Sequence, residues 1–407
     1  MHCRICHTKA TAINDFGQMP IANGFVFNID DDKYRFSMDT SFCNECSLFQ
    51  LDNQPKPELM FHNDYPFFTG LSKSMQVHFG EMVESSLIES KEKFAVIFVV
   101  EVGSNDGTLL EFVKNKGIRH LGIDPSENVV QSSWKKGISA EVGFYSESLA
   151  KDIVRRHGKA DFIFAANVIC HIPDLLDFGK GIKELLSVDG QFIFEEPYIG
   201  SMINKTSYDQ IYDEHVYIFG ALSVKKVFNK IGLELVDAIP QLTHGGSMRY
   251  LLKHTGVSEV SNRALEILKK ELEENLNDVS TYLSFATRCQ QRRIEFKELL
   301  KKLKSEGAKI AGYAATSKST TVLNYCGIGN DLISYISDST PEKQNRFTPG
   351  SHIPIISHEE MKMNPPDYLV LFAWNHEKEV LKKEKELTSQ GVKWIRFVPK
   401  VEILDIK

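Results

Sequence analysis

The residues able to do chemistry fall in a few separate stretches. Cys3-Arg4-Ile5-Cys6 and Cys43-Asn44-Glu45-Cys46 are two C-x2-C knuckles. Each aims two thiolates at one point, and together they complete the tetrahedral four-sulfur shell that zinc prefers. Four thiolates leave no open coordination position, so such a zinc is structural. Cys3-Arg4-Ile5-Cys6-His7 also has the form of a c-type haem attachment site. That reading needs an oxidising compartment and leaves the second pair unexplained. Further on, Glu101-Val102-Gly103-Ser104-Asn105-Asp106-Gly107 is an acidic turn between an apolar run and a segment of helical spacing. Gly103 and Gly107 permit positive φ and close backbone approach. His120-Leu121-Gly122-Ile123-Asp124 is a second apolar strand ending in an acid, where a ribose diol would be held. Asn105 stands where a dinucleotide fingerprint needs its second glycine, and the third glycine is absent. A pyrophosphate is therefore disfavoured at this loop, while a nucleoside without phosphates needs less bare backbone.

Three more stretches carry titratable groups. Asn167-Val168-Ile169-Cys170-His171 closes a predicted strand at its rim, where a histidine can face a ligand as readily as pack in the core. Tyr208 to Phe219 packs four aromatics, three acids and one histidine into twelve residues, a poor helix surface and a poor strand core. Such a density of titratable and hydroxyl groups beside aromatics suits proton transfer at a ring-shaped substrate; the alternative is a buried polar network at a domain junction. Thr316-Ser317-Lys318, between a predicted strand and helix, offers backbone N–H groups, hydroxyls and one ammonium that would hold a diphosphate. A further strand over 332–337 ends in Asp338, again placed for a diol. The segment Tyr65-Pro66-Phe67-Phe68-Thr69-Gly70-Leu71-Ser72 reads by composition as an apolar linker.

The elements that position these groups alternate. Strands are predicted over 96–101, 119–124, 161–166, 191–195, 232–237 and 247–253. Helices are predicted over 73–90, 107–116, 146–156, 175–187 and 221–231. Alternation at this spacing implies right-handed crossovers and a doubly wound parallel sheet, whose ligands sit at the carboxyl ends of the strands. Candidates there are Glu101 to Gly107, Asp124, Asn167 to His171 and Glu195 to Tyr198. Of these, Asn105 and Asn167 go with the cofactor and Glu196 with the substrate. A long helical stretch over 258–304, then strands near Asp338, 367–376 and 394–399, make a second α/β unit. The fold class is α/β with three domains: zinc-binding (1–64), Rossmann-like (65–240) and a second Rossmann-like domain (241–407).

Composition bounds the function. The chain has 407 residues, 42% hydrophobic and 25% charged, which is normal for a globular protein with several cores. A net charge of −6 argues against a general nucleic-acid binder or a membrane-surface protein. No apolar run approaches the ~20 residues that span a bilayer, and the amino terminus enters a cysteine pair with no signal-peptide pattern. Seven cysteines in such a chain point to metal or free thiols rather than disulfides. A cytoplasmic monomer is expected.

The glycine loop with Asp124 on the next strand resembles the cofactor loop of class I methyltransferases, which bind S-adenosylmethionine (SAM). The order of motifs extends the resemblance over essentially the whole chain. Paired cysteines come first, then E-V-G-S-N-D-G, Tyr-Asp-Glu-His, H-G-G-S-M-R, G-Y-A-A-T-S-K and L-F-A-W-N. This is similar to the sugar C-methyltransferases that act on nucleotide-linked 4-keto-deoxysugars. The resemblance implies methylation of ring carbon C-3 with SAM as donor. It implies His215 as base, Glu214 orienting or charging it, and Tyr212 and His171 on the sugar oxygens. It also implies Tyr65 as an active-site tyrosine and the 314–320 loop as the seat of the nucleotide diphosphate. Competing classes are a sugar or small-molecule O-methyltransferase, a scaffold with an idle SAM fold, and a nucleotide-sugar dehydrogenase. The last lacks a glycine triplet in the loop at 312–318.

Overall fold

Runs of Val, Ile and Phe with no polar alternation form strands that are covered on both faces. Phe98–Val102 is such a strand, buried along its whole length, and it lies in the interior of a seven-stranded sheet. The computed structural model describes residues 1–61, 68–88 and 96–406. From one edge the sheet runs Ala140–Val142, Arg119–Asp124, Phe98–Val102, Ala160–Ala166, Leu186–Pro197, Ser247–His254 and Leu233–Gln241. The first five are parallel. Ser247–His254 runs antiparallel to both of its neighbours. The chain leaves Phe98–Val102 toward one edge and returns on the other side at Ala160–Ala166. This change of direction opens a crevice at the strands' carboxyl ends.

The predicted helices form with small shifts. Thr108–Asn115 buries Leu109, Leu110 and Val113, the stripe its spacing implied. Several elements went unread in the sequence, among them helices Glu127–Lys135 and Ile199–Lys205 and edge strand Ala140–Val142. The edge strand holds three half-exposed or exposed residues, so it has no apolar signature. The stretch over 258–304 is two helices, Asn262–Glu273 and Val279–Ser305. Asn275 breaks it with a positive φ of 54°, and Asp278 caps the second helix by accepting from Ser280 N. Hairpin Leu233–Gln241/Ser247–His254 crosses residue 240, so the central sheet draws one strand from beyond the expected boundary there.

The second parallel sheet has six strands: Ile355–Ile356, Ile336–Ser337, Ile310–Tyr313, Tyr368–Leu371, Lys393–Arg396 and Glu402–Ile403, with only the last reversed. Helix Ser317–Cys326 follows Ile310–Tyr313 and is capped by the Thr316 hydroxyl, which accepts from Ser319 N.

The amino-terminal unit is tied to both. Its sheet pairs Thr11–Met19, Phe36–Cys43 and Leu48–Leu51, and takes its fourth strand, Tyr217–Ile218, from the segment just after His215. Phe42 stacks on Tyr282 of the long helix with ring centroids 3.9 Å apart. Ile13, Phe16 and Phe49 share one apolar core with Phe285, Tyr208 and Tyr325.

The four cysteines meet at one end of this unit. The sulfurs of Cys3, Cys6, Cys43 and Cys46 lie within 4.8 Å of one another. Ile5 N donates to Cys3 Sγ and Cys46 N to Cys43 Sγ, each at 3.4 Å. Neighbouring donors, Cys46 first, pull the Cys3 thiol down to about 5, which favours the thiolate that metal needs. The donor set, spacing and backbone N–H···S bonds fit a four-thiolate zinc. Leu48–Leu51 of the same sheet holds the strand that follows His215. Removing the metal with a chelator, or replacing Cys46 with Ser, should therefore lower the melting temperature and methyltransferase turnover together. Unchanged turnover in metal-free protein would show that the zinc unit does not support the active site.

Candidate active site

A cavity of about 870 Å³ lies between the carboxyl ends of the two parallel sheets, with the loop around Asn23 closing one side. Its first wall is the glycine loop. Gly103 has a φ of 71°, and a Cβ there would run into Val168. Asn105, also left-handed with φ 47°, donates its N–H to Asp124 Oδ2 at 2.9 Å, and Ser126 N donates to Oδ1 at 2.9 Å. Two backbone donors thus fix the Asp124 carboxyl at the cavity edge, and burial pushes it up to about 6. The Asn105 side chain accepts from Thr69 N at 3.0 Å, pinning the segment before helix Lys73–Leu87 onto the loop. Gly107 starts helix Thr108–Asn115 with a φ of 75° and packs against Ser133 and Ile138.

Glu101 is placed differently from Asp124. It lies beneath the loop, outside the cavity wall, and Oε2 has no partner among the described residues. Burial, then Asp106 and Asp124, raise it well above the usual carboxylate range. Asn167, left-handed at φ 56°, lines the cavity. Glu196 turns away from it. Its Oε1 accepts from the N–H groups of Val168, Ile169 and Cys170 at 3.0, 2.6 and 3.3 Å. The carboxyl therefore shapes the turn that presents His171.

The Tyr212–His215 segment forms the floor. His215 Nδ1 lies 2.7 Å from the Gln210 carbonyl, which can only accept, so Nδ1 carries the proton. Nε2 then accepts from Tyr212 Oη at 2.7 Å. Burial, reinforced by the nearby His171, holds His215 well below its ordinary value and therefore neutral. His171 lies parallel to it at 5.4 Å between ring centroids, with Phe61 at 5.5 Å. Burial takes His171 down to about 4, and its Nε2 has no partner among the described residues. Glu214 does not touch the imidazole nitrogens; Asn23 Nδ2 donates to its Oε1 at 2.7 Å. Asp213 accepts from Ala22 N at 3.1 Å. Burial raises both carboxyls.

The opposite wall is the loop into helix Ser317–Cys326. Thr316, Ser317, Lys318 and Asp338 line the cavity. Asp338 accepts from Ala315 N at 2.7 Å and Thr340 N at 2.8 Å, so it holds two loops together. Ser317 Oγ donates to Asn23 Oδ1 at 2.9 Å. Tyr65 lies outside the described residues.

Asn23, Gln210 and His244 also reach this cavity and were not assigned a role from sequence. Asn23 sits in an amino-terminal loop far from every motif, so no local signal marks it. Gln210 opens the aromatic–acidic stretch and could have been read with it. His244 stood in the conspicuous H-G-G-S-M-R run.

Comparisons to known proteins give the family. Residues 242–399 match the C-methyltransferase C-terminal domain family, 81–238 a methyltransferase domain family and 3–61 a zinc binding domain family. The chain is 30% identical to the C-methyltransferase NovU of Streptomyces niveus over 99% of this chain and 96% of that protein. Among solved structures, a SAM-dependent methyltransferase from Anabaena variabilis is 19% identical, with a TM-score of 0.35 over 42% of this chain and 83% of that one. Magnesium protoporphyrin IX methyltransferase from Synechocystis is 15% identical, with a TM-score of 0.36 over 44% and 83%. The molecule is a SAM-dependent methyltransferase with a four-cysteine zinc unit. It belongs to the C-methyltransferase family to which NovU belongs.

Asn23 bridges the floor and the opposite wall through one amide. Asn23→Ala leaves buried Glu214 without its donor, a loss of about 1–3 kcal/mol. Turnover should fall about tenfold or more while SAM affinity measured by calorimetry stays within about twofold. Equal losses in both would place Asn23 in general folding instead.

Proposed function

We propose that the enzyme methylates C-3 of a nucleotide-linked 4-keto-6-deoxysugar, with dTDP or GDP as the nucleotide. The reading is carried by the neutral Tyr212–His215 pair, which faces a cavity whose other walls suit a nucleoside and a nucleotide sugar. SAM, when bound, supplies an electrophilic methyl group; Gly103, Asn105, Asp124 and Asn167 line its half of the cavity, with Glu101 and Gly107 supporting that loop. Thr316, Ser317, Lys318 and Asp338 receive the nucleotide sugar from the other side.

A carbon next to a ketone gives up its proton only to a placed base, with help for the enolate. His215 is that base: a neutral imidazole with its proton fixed on Nδ1 offers Nε2 as acceptor. Tyr212 donates to the same nitrogen, so the phenol first exchanges partners, its O–H turning to a sugar oxygen. His171, whose Nε2 has no partner among the described residues, is the second contact to the sugar, and Tyr65 a third. Glu196 serves by holding the His171 turn. Alignment of base, carbon and methyl sets the rate more than basicity does. The three units divide these tasks, and the enzyme works as a cytoplasmic monomer, where reducing conditions keep the zinc thiols free.

The test is a panel of 4-keto-6-deoxy nucleotide sugars incubated with SAM and read by product mass and NMR. One panel member should gain one methyl, on ring carbon. Methylation on oxygen would replace this reading with the O-methyltransferase one. His215→Ala should lose turnover by a factor of about 100 or more while still binding SAM; near wild-type turnover would remove His215 from the base role.

A further inference from the structure

Two buried donor groups on residues that line the cavity have no hydrogen-bond partner among the described residues. Lys318 Nζ is shut off from solvent and has no hydrogen-bond partner among the described residues. No carboxylate of those residues comes within ion-pair distance of it. Burial lowers the Lys318 ammonium from its ordinary value, opposed by the charge of Asp209, whose Oδ2 accepts from Trp374 Nε1 at 2.7 Å. His244 Nε2 is likewise buried and unpartnered among the described residues, and the residue lines the same cavity. An ammonium in this state is costly unless an anion joins it.

These groups converge on the corner that holds His215. Lys318 Nζ lies 5.9 Å from the centroid of the Trp374 ring. That ring packs so closely on Gly245 that a Cβ there would strike it, which puts the next residue, His244, beside the same tryptophan. His244 is left-handed at φ 53°, a conformation that costs free energy in a residue other than glycine and clusters at functional sites. Gln210 ties it to the base. Its side-chain amide donates to the His244 carbonyl at 2.6 Å, and its own carbonyl holds His215 Nδ1. The Lys318 charge depresses both His215 and His244. Burial and that charge hold His244 at about 3, so it stays neutral and, with its proton on Nε2, can donate. A second cation, Lys343, lies elsewhere along the cavity and donates to the Ala315 carbonyl at 2.8 Å.

We propose that Lys318 and His244 together hold the enolate oxygen of the substrate, rather than its diphosphate. The inference rests on the reaction proposed above. As the C-3–H bond breaks, its proton goes to His215 Nε2 and its electron pair forms the C-3–C-4 double bond. The carbonyl pair moves onto the C-4 oxygen, which becomes the anion that Lys318 and His244 meet. When C-3 bonds to the methyl group, the C–S pair returns to sulfur and the ketone re-forms. The C-4 oxygen carries a full negative charge only from the enolisation step to methyl transfer, so donors placed on it favour that state over the neutral ketone. Donors aimed at a developing oxyanion act this way in acyl transfer, each worth about 10²–10³ in rate.

Enolisation can be read without methyl transfer. The dTDP- and GDP-linked 4-keto-6-deoxyhexoses are incubated with enzyme in D2O, with no SAM, and deuterium uptake at C-3 is followed by NMR at saturating sugar. Wild type should exchange at least one of them. Lys318→Met should slow that exchange about 100-fold or more, and His244→Phe about tenfold or more, with sugar affinity changed less than about threefold. Exchange at the wild-type rate at saturation, with only affinity lost, would overturn the proposal and return Lys318 to the diphosphate. SAM binding by calorimetry checks that each variant is folded. Should Lys318→Met fail that check, Lys318→Gln and the His244 variant decide by the same criterion. No exchange by wild type on any panel member would instead remove the underlying reaction.

Discussion

One asparagine amide joins three parts of the chain that have no sequence proximity. Asn23 donates to Glu214 beside the base motif and accepts from Ser317 at the start of the carboxy-terminal loop. Thr320 Oγ1 adds a bond to the Ala22 carbonyl at 2.8 Å. Both buried acids next to His215 take their donors from this same loop. A buried carboxyl without a donor is expensive, so the loop cannot leave without destabilising the floor of the cavity. The zinc unit thereby becomes a wedge between the two α/β units. Its metal holds the sheet, the sheet holds strand Tyr217–Ile218, and that strand fixes where His215 can stand.

The electrostatics of the cavity follow from the same burial. Three imidazoles, His171, His215 and His244, are pushed toward their neutral forms because a charged ring loses too much hydration there. Asp213, Glu214 and Glu196 are pushed the same way. A neutral imidazole is what a base must be before it acts. In so neutral a setting the charge of Lys318 is weakly opposed, and low dielectric makes it reach further. Burial therefore leaves both the neutral imidazoles and the field that an anion would feel.

Much of the cofactor side was legible because its determinants are local. A strand, a turn with left-handed residues and a second strand ending in Asp124 are consecutive pieces of chain, and glycine and asparagine suit those turn dihedrals best. The strand-end rule was less able to say which way a side chain points. Glu195 and Glu196 are neighbours on one strand, so they face opposite sides of the sheet. Glu195 binds His78, Thr243 and Arg249, and Glu196 caps the turn before His171. Neither lies in the cavity wall. Glu101 likewise ends a strand yet sits under its loop. These are assignments that a register can locate but only packing can aim.

The sequence by itself determined the chemistry available: four thiols at zinc spacing, a glycine loop shaped for a nucleoside, and a histidine among tyrosines and acids. It also determined the α/β class, because strand and helix periodicity are written in adjacent residues. Only the tertiary structure decided that the tautomer of His215 is set by the Gln210 carbonyl, that Glu214 is held by Asn23, and that the central sheet takes a strand from beyond residue 240. These outcomes depend on pairs such as Asn23 with Ser317 and Leu51 with Val216. Their partners are remote in the chain, and the free energy that brings them together comes from burying apolar surface elsewhere, so no local pattern records them.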